Sequence, residues 1–282
     1  MNYRNHALIL GCSFSNGSYT FDADFIKPDL VLQPDGSTKP IDTGLGREHL
    51  DVNGSWIEQL STKDHYTLYT TGGVGVAQYS TVIEYYYEKN QLQDFDYVLI
   101  QNTWEPRLCW QEPRPLPECY WIQENLDASN ITMYEGKDTS KHFNFMSSAG
   151  KSNLGGHFHN AEEWQVDMFQ GETNKAVIHS CATYIDEICR LCNKKLFYFH
   201  WANTSKGPHV LEYEHGQKLD VPYPWGVGKG TFDLFMKPKY HAYGYIDPSV
   251  SRDGKDLFVG HFTKEGNRVV GKRISKELEK YI

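Results

Sequence analysis

The stretch ALILGCSFSNGS, residues 7–18, is the key to the organisation of this chain. The apolar run HALILG (6–11) ends at Gly11, and Ser13 follows two residues later among small and polar residues. A short apolar run bounded by glycine is typical of a buried strand that ends in a loop. Ser13 is therefore either a loop residue at the end of a strand or a nucleophile that the strand presents.

Three more runs share this strand character, namely HYTLYTT (65–71), DYVLIQN (96–102) and KLFYFHWAN (195–203). Helical patterns alternate with them, at residues 56–63, 76–90, 172–195 and 265–282. Strands that alternate with helices predict a parallel sheet covered on both sides, which is a three-layer α/β/α fold. Because ligands bind at the carboxyl ends of such strands, Ser13 is predicted to lie at a binding edge.

Two long segments interrupt this alternation, at about 104–165 and 204–254. The first contains no convincing core element, and the second is rich in Gly, Pro, Tyr and Trp. Loops this long in a compact domain usually carry function or are disordered. Their high aromatic content argues against disorder. We therefore expect one domain over residues 1–282, with both segments as ordered insertions over the carboxyl edge of the sheet.

Composition limits the possible partners and the compartment. The chain has 282 residues and a net charge of −8 at pH 7, which argues against nucleic acid or an anionic membrane as a charge-driven partner. The stretch MNYRNHALIL has no long apolar segment, and no membrane span is evident elsewhere. These features predict a cytoplasmic protein, while its oligomeric state stays open.

A serine hydroxyl becomes a useful nucleophile only when a base takes its proton, so Ser13 needs a histidine. His261 is the best placed, because DLFVGHFTKEG puts it between a short apolar run and the start of the last helix. Thr263 followed by Gly266 predicts the amino-terminal cap of that helix. The loop that carries His261 is expected at the strand ends, as is Ser13.

These residues resemble the conserved blocks of the SGNH/GDSL hydrolases. LILGCSFS (8–15) resembles their first block, a strand followed by Gly-Asp-Ser-x-Ser, and VGHFTKEGNRVVGKRI (259–274) resembles their last block, a histidine loop followed by a helix. Between them, WIEQLSTKDHYTLYTTGGVGVAQYS (56–80) is similar to the Trp-x-x-x-Leu helix, second strand and glycine block. DFDYVLIQNTWEPR (94–107) occupies the third-block position.

The resemblance implies a flavodoxin-like sheet and a serine esterase that needs neither metal nor cofactor. Ser13 would be the nucleophile, and His261 would be first the base and then the acid. The N–H groups of Ser13 and Gly75 would form the oxyanion hole, with Asn102 as a further donor. The implied substrate is a small acyl ester, with an acetylated carbohydrate as the first choice.

The chain departs from the family pattern at two places near the proposed nucleophile and base. Cys12 replaces the aspartate of the first block, which is not the nucleophile. Phe258 stands where the family has an aspartate three residues before the histidine. Asp256 or Asp253 is then the candidate that orients His261, and a backbone carbonyl is the other option.

The third block departs further. The family has Gly-x-Asn-Asp there, whereas strict register places Thr103 at the glycine and Glu105 at the asparagine. Asn102 is offset by three residues, and Thr103 and Arg107 are competing donors. These departures also fit a second hypothesis, a catalytically inactive binding or structural module with the same fold.

Other residues are candidates for substrate or metal binding. Trp104 and Arg107 follow the third predicted strand, and His200 lies at the end of the fourth. All three are candidates for contacting substrate, although a packed core histidine is the alternative for His200. GGHFHNAEEW places His157 and His159 two residues apart, with carboxylates close behind. This pattern suits either a metal site, and hence a metal-dependent hydrolase, or a polar loop.

Overall fold

The structure is a computed structural model. It describes residues 2–12, 14, 15, 17, 30–32, 38–40, 52–71, 75–102, 108–111, 121–124, 126, 128–136, 143–146, 172–201, 211–224, 229–232, 234 and 262–282. Within these residues the chain has an α/β fold built on one large sheet and three α-helices.

The strands, in chain order, are β1 (His6–Cys12), β2 (Leu30–Leu32), β3 (Thr38–Pro40), β4 (His65–Thr71), β5 (Tyr97–Asn102), β6 (Leu108–Gln111), β7 (Trp121–Glu124), β8 (Ile131–Gly136), β9 (Phe143–Met146), β10 (Lys195–His200) and β11 (Gln217–Lys218). The α-helices are α1 (Val76–Glu88), α2 (Glu172–Leu191) and α3 (Lys264–Leu278). Short 3-10 helices cover Val52–Gly54, Trp56–Gln59 and Leu92–Asp94.

Seven strands form the central sheet, in the order β11-β10-β5-β1-β4-β8-β7. All neighbours pair in parallel except β7, which runs antiparallel to β8 at one edge. Leaving β8 aside, the parallel strands follow one another in space as second, first, third, fourth and fifth. The direction of the chain therefore reverses between β1 and β5, which creates a topological switch point at their carboxyl ends.

Burial explains why the sequence chooses these strands. The residues from Ala7 to Cys12 and all of β5 are buried, as expected for strands covered on both faces. The connections from β4 to β5 and from β5 to β10 run in the same direction across the sheet. Right-handed crossovers therefore put α1 and α2 on the same face, and these two helices pack against each other.

Asparagine residues end the first two helices earlier than the sequence patterns predict. Asn90 and Asn193 have φ angles of 55° and 53°, the left-handed conformation that terminates helices. The following N–H groups, of Gln91 and Lys194, donate to Tyr86 and Cys189 one turn back at 2.8 Å each. These Schellman-type bonds close the helices at residues 88 and 191 rather than 90 and 195.

The expectation that residues 104–165 contain no core element is wrong. The β8 strand in this segment pairs in parallel with β4, from Tyr66↔Ile131 to Thr70↔Glu135, and β7 pairs with β8. Ile131 and Met133 are buried, so the strand contributes alternate side chains to the core. Residues 121–124 and 131–136 thus extend the sheet, and β7 makes it mixed rather than purely parallel.

The chain divides into two compact units, residues 1–13 with 61–221 and residues 14–60 with 222–282. The first contains the central sheet with α1 and α2. In the second, α3 packs against the 3-10 helices at 52–54 and 56–59. The prediction of one domain over the whole chain stays a prediction.

A glycine and an asparagine fix the packing of α3 in the second unit. A Cβ at Gly271 would collide with the Trp56 carbonyl oxygen, so only glycine allows this approach. Asn267 Nδ2 donates to the Gly54 carbonyl at 2.9 Å. The predicted helix at 56–63 is only a 3-10 helix, because Leu60 is extended (ψ 165°) and Ser61, Thr62 and Lys63 follow it in a turn.

Candidate active site

The carboxyl ends of four parallel strands lie along one edge of the sheet. Cys12 of β1 pairs with Thr71 of β4, and Asn102 of β5 pairs with His200 of β10. Thr70 Oγ1 donates to the Cys12 carbonyl at 2.7 Å, which ties β1 and β4 together at this edge. The switch point between β1 and β5 is therefore the position in this unit where a ligand site is expected.

Five of the predicted site residues lie outside the described residues. They are the catalytic candidates Ser13, His261 and Asp256 and the substrate-binding candidates Trp104 and Arg107. Their roles stay predictions.

The neighbours of Ser13 are described. Cys12 and Ser15 are completely buried, and the Cys12 thiol is free. Ser15 Oγ accepts a hydrogen bond from Trp56 Nε1 at 3.2 Å. The chain is thus held on both sides of residue 13. The Thr70–Cys12 hydrogen bond holds it at the end of β1, and the Trp56–Ser15 hydrogen bond holds it after residue 13.

The residues that follow His261 are also firmly held. Phe262 and Thr263 are completely buried. Thr263 is the N-cap of α3, and its hydroxyl accepts from the Gly266 N–H at 3.2 Å. The predicted helix start at Thr263 and Gly266 is confirmed, and it fixes the chain two residues after the predicted base.

Gly75, a predicted oxyanion donor, is the N-cap of α1. Its N–H donates to Gln78 Oε1 at 2.9 Å, so the side chain of the third helical residue satisfies it. This is the reach-back bond of a capping box. The Gly75 N–H would have to leave Gln78 before it could stabilise an oxyanion.

Asn102, the other predicted donor, is almost completely buried and tied to a second segment of the same unit. Its Oδ1 accepts from Tyr213 Oη at 3.0 Å, and its Nδ2 lies 3.5 Å from the Leu211 carbonyl, at the outer limit of a hydrogen bond. Tyr213 thereby fixes the rotation of the amide, since the hydroxyl bonds to Oδ1 only as a donor. The arrangement holds Asn102 in place at the end of β5.

His200, the predicted substrate contact at the end of β10, is a buried neutral imidazole. Burial, and then the nearby positive charge of Lys218, lower the pKa of His200 to about 4. The Tyr198 ring meets it edge-on, with ring centroids 5.7 Å apart. A neutral imidazole at pH 7 can donate one hydrogen bond and accept another, but it carries no charge to attract an anion.

Three residues that the sequence analysis missed complete this edge. Gln78 lies on the first turn of α1, next to Tyr79, whose hydroxyl donates to the Gln101 carbonyl at 3.2 Å. Gln101 Nε2 in turn donates to Cys12 Sγ at 3.6 Å. A signal existed for Gln78, because a glutamine three residues after a glycine that precedes an apolar helix fits a capping box.

Neither a metal site nor a membrane span emerges from the part of the chain that the structure describes. No group of three or more histidine, cysteine or acidic residues gathers there as metal ligands would. The candidate ligands His157 and His159 lie outside the described residues. Among the described helices, none has the length and apolar character needed to cross a bilayer.

The carboxyl edge of the sheet thus carries buried, uncharged hydrogen-bond donors and acceptors close to β1, the strand that leads into Ser13. Such groups can hold an uncharged polar ligand or stabilise a charge that develops during a reaction. Comparisons with family models, curated proteins and solved structures give no match to the chain.

Proposed function

We propose that the chain is a serine ester hydrolase of the SGNH/GDSL type. Its substrate is a small acyl ester, with an acetyl group on a carbohydrate as the first choice. The observation that carries the proposal is the strand order of the sheet. The order second, first, third, fourth, fifth is that of flavodoxin-like sheets, in which ligands bind at the switch point. Ser13 directly follows the strand on one side of that point.

The end of the chain supports the same proposal. The family pattern has a histidine loop directly followed by a helix. Here His261 precedes the cap residue Thr263 of α3 by two positions. The proposed fold is a three-layer α/β/α arrangement around the flavodoxin-like sheet.

In the proposed mechanism, Ser13 Oγ attacks the carbonyl carbon of the ester while His261 takes the Ser13 proton. The tetrahedral intermediate collapses when the C–O bond to the alcohol breaks and His261 protonates the leaving oxygen. Water, deprotonated by His261, then attacks the acyl-enzyme. The acid leaves, and Ser13 recovers its proton. Asp256, or a backbone carbonyl in its place, orients His261.

A specific observation favours the second candidate, an inactive binding module of the same fold. Two predicted oxyanion donors already have partners, since the Gly75 N–H is bonded to Gln78 and the Asn102 amide lies between Tyr213 and Leu211. A site that has lost catalysis has no need to keep such donors available. The two hypotheses differ in whether Ser13 reacts.

The decisive experiment is hydrolysis of p-nitrophenyl acetate and of an acetylated sugar by wild type, Ser13→Ala and His261→Ala. We expect each variant to lose at least about 1,000-fold in kcat/KM, since such residues act as a unit. Ser180→Ala and His179→Ala are matched controls, because both side chains are exposed on α2. They should retain wild-type activity.

Covalent labelling separates the two candidates independently of turnover. Diethyl p-nitrophenyl phosphate should add one diethylphosphoryl group to wild type, detected by intact-protein mass, and none to Ser13→Ala. Equal hydrolysis by wild type and Ser13→Ala, together with no labelling, would contradict the esterase and favour the binding module.

A further inference from the structure

We propose that Gln78 is an oxyanion-hole residue, whose Nε2 donates a hydrogen bond to the carbonyl oxygen of the substrate's acyl group. This inference rests on the proposed esterase function. It assigns the side-chain donor of the hole to α1 rather than to Asn102 at the end of β5.

The first observation is a buried amide nitrogen that has no acceptor among the described residues. Gln78 is 4% exposed, and its Oε1 accepts from the Gly75 N–H at 2.9 Å. That bond fixes which end of the amide is oxygen, and it leaves Nε2 as a buried donor with no acceptor among the described residues. Buried donors in folded proteins are nearly always paired, so this group calls for an explanation.

The second observation is the position of this amide at the amino terminus of a 13-residue helix. The first hydrogen bonds there run from the N–H groups of Gln78 and Tyr79 to the Gly75 carbonyl. The N–H groups of Val76 and Ala77 precede these bonds, and both residues are buried. Backbone N–H groups at a helix start attract negative charge, and Gln78 adds a side-chain donor to them.

The third observation ties this helix start to the strand that leads into Ser13. Tyr79, the next residue after Gln78, donates to the Gln101 carbonyl at 3.2 Å. The Gln101 side chain crosses to Cys12 Sγ at 3.6 Å, and Cys12 is the last residue of β1. The first turn of α1 is therefore fixed at the β1–β5 switch point.

The type of donor indicates the type of ligand. An amide N–H₂ group and backbone N–H groups carry no formal charge. Such a set suits a carbonyl oxygen that gains one negative charge in the transition state, because the donors are already oriented when the charge develops. When Ser13 Oγ bonds to the carbonyl carbon, the π electron pair moves onto this oxygen, and it returns when the alcohol leaves.

Asn102 is the weaker candidate for this donor role on the same grounds. Its Oδ1 is held by Tyr213 and its Nδ2 faces the Leu211 carbonyl. Within the part of the chain that the structure describes, Gln78 Nε2 has no such acceptor to leave before it can bind substrate. The structure therefore favours Gln78 over the asparagine that the family pattern suggests.

The test is the kinetics of Gln78→Glu on p-nitrophenyl acetate. Glutamate keeps the chain length and an oxygen that accepts from the Gly75 N–H, and it removes the N–H₂ donor. We expect kcat to fall about 100- to 1,000-fold, as when one oxyanion donor is lost, with KM changed by less than about 3-fold. Gln91→Glu, at an exposed glutamine, is the matched control and should behave as wild type.

Gln78→Met is the second variant, and it serves if the glutamate form does not fold. It also lacks the donor, so its kcat should fall at least about 10-fold, since the freed Gly75 N–H replaces only part of the lost stabilisation. Thermal unfolding of each variant shows that the loss is measured on folded protein.

The outcomes separate this inference from the function on which it rests. If both Gln78 variants keep wild-type kcat while Ser13→Ala is inactive, the esterase stands and the role of Gln78 is wrong. If Ser13→Ala is as active as wild type, the proposed function fails and the inference fails with it.

Discussion

The parallel strands of the central sheet begin along one edge, the amino edge, and end along the opposite one, the carboxyl edge. These two edges use buried polar side chains in opposite ways. At the amino edge, the completely buried Asp64 carboxylate accepts from Arg4 Nε and Nη2 at 3.0 and 2.9 Å and from Asn5 Nδ2 at 3.0 Å. At the carboxyl edge, Gln78 is almost as deeply buried, yet its Nε2 has no acceptor in the part of the chain described. The Asp64 carboxylate thus has three donors, whereas the Gln78 amide keeps an unused donor among the described residues.

The histidines at the amino edge reinforce the contrast. His6 and His65 lie side by side on β1 and β4, with ring centroids 4.6 Å apart. Their Nε2 atoms bond to the hydroxyls of Thr67 and Thr132 at 2.8 and 3.2 Å. These bonds are made within the sheet itself, so the amino edge is organised for stability.

The contrast between the two edges indicates where a sheet of this kind binds its ligand. Buried polar groups in folded proteins are nearly always paired, so an unused donor at the ligand-binding end of the strands is a candidate for completion by a ligand. Tyr97 Oη also lacks a partner among the described residues, but it lies at the amino end of β5, away from that position. In this chain that position coincides with the switch point of the sheet. Activity is therefore expected to depend on the carboxyl edge, whereas the amino edge contributes to stability alone.

The largest expected effect on stability comes from Asp64→Ala. The change removes the acceptor of three hydrogen bonds, two of them from the Arg4 guanidinium, although the half-exposed Arg4 can turn to water. We expect the free energy of unfolding to fall by about 3 kcal/mol, measured by urea denaturation at pH 7. Glu187→Ala, which breaks an exposed ion pair with Arg190, is the control and should cause no measurable change.

The activity of the Asp64→Ala protein is the second readout of this variant. At a temperature where it is folded, its kcat should equal that of wild type. A large loss of kcat in the folded Asp64→Ala protein would show that the amino edge also supports activity and would contradict this prediction.

The next largest expected effect is that the free energy of unfolding depends on pH through His200, at the carboxyl edge. Because the pKa of His200 is about 4 in the folded chain and about 6.5 when unfolded, the unfolded chain binds more protons between these values. Stability is thus lost as the pH falls through this window. His200 alone should remove about 2 kcal/mol between pH 7 and pH 5.

Urea denaturation of wild type and His200→Gln at both pH values measures this contribution. Burial lowers the pKa of His6 and of His65 as well, so both proteins should lose some stability at pH 5. The variant should lose less, by the amount that His200 contributes. Equal losses in the two proteins would mean that His200 is protonated in the folded chain at pH 5. The carboxyl edge would then carry a positive charge at that pH.

Much of the sheet could be predicted from local sequence. The strand at 65–71 has the predicted bounds, and the other three predicted strands differ by one to three residues at an end. Their apolar runs are continuous because both faces are buried. ITMYEG at 131–136 was missed because it buries only alternate residues, Ile131 and Met133, within a polar segment.

The candidate site was less predictable, because its pairing depends on distant parts of the chain. The positions of Asn102 and His200 at strand ends follow from the strand pattern. That Tyr213 would take up the Asn102 oxygen could not be foreseen, since Tyr213 lies 111 residues away in a segment expected to be an insertion. Helix starts are local, so the cap at Thr263 was predictable and the Gly75–Gln78 bond would have been.

The smallest effect tests whether Tyr213 really holds Asn102 at the carboxyl edge. Tyr213→Phe removes the hydroxyl that donates to Asn102 Oδ1 and leaves that oxygen buried without its donor. We expect the free energy of unfolding to fall by about 1 kcal/mol in urea denaturation. Tyr3→Phe removes a bond to the Ser129 carbonyl in an exposed place, where water replaces it, and should cost less than about 0.5 kcal/mol. Equal effects in the two variants would mean that Asn102 is not held, and the asparagine would then compete with Gln78 as the oxyanion donor.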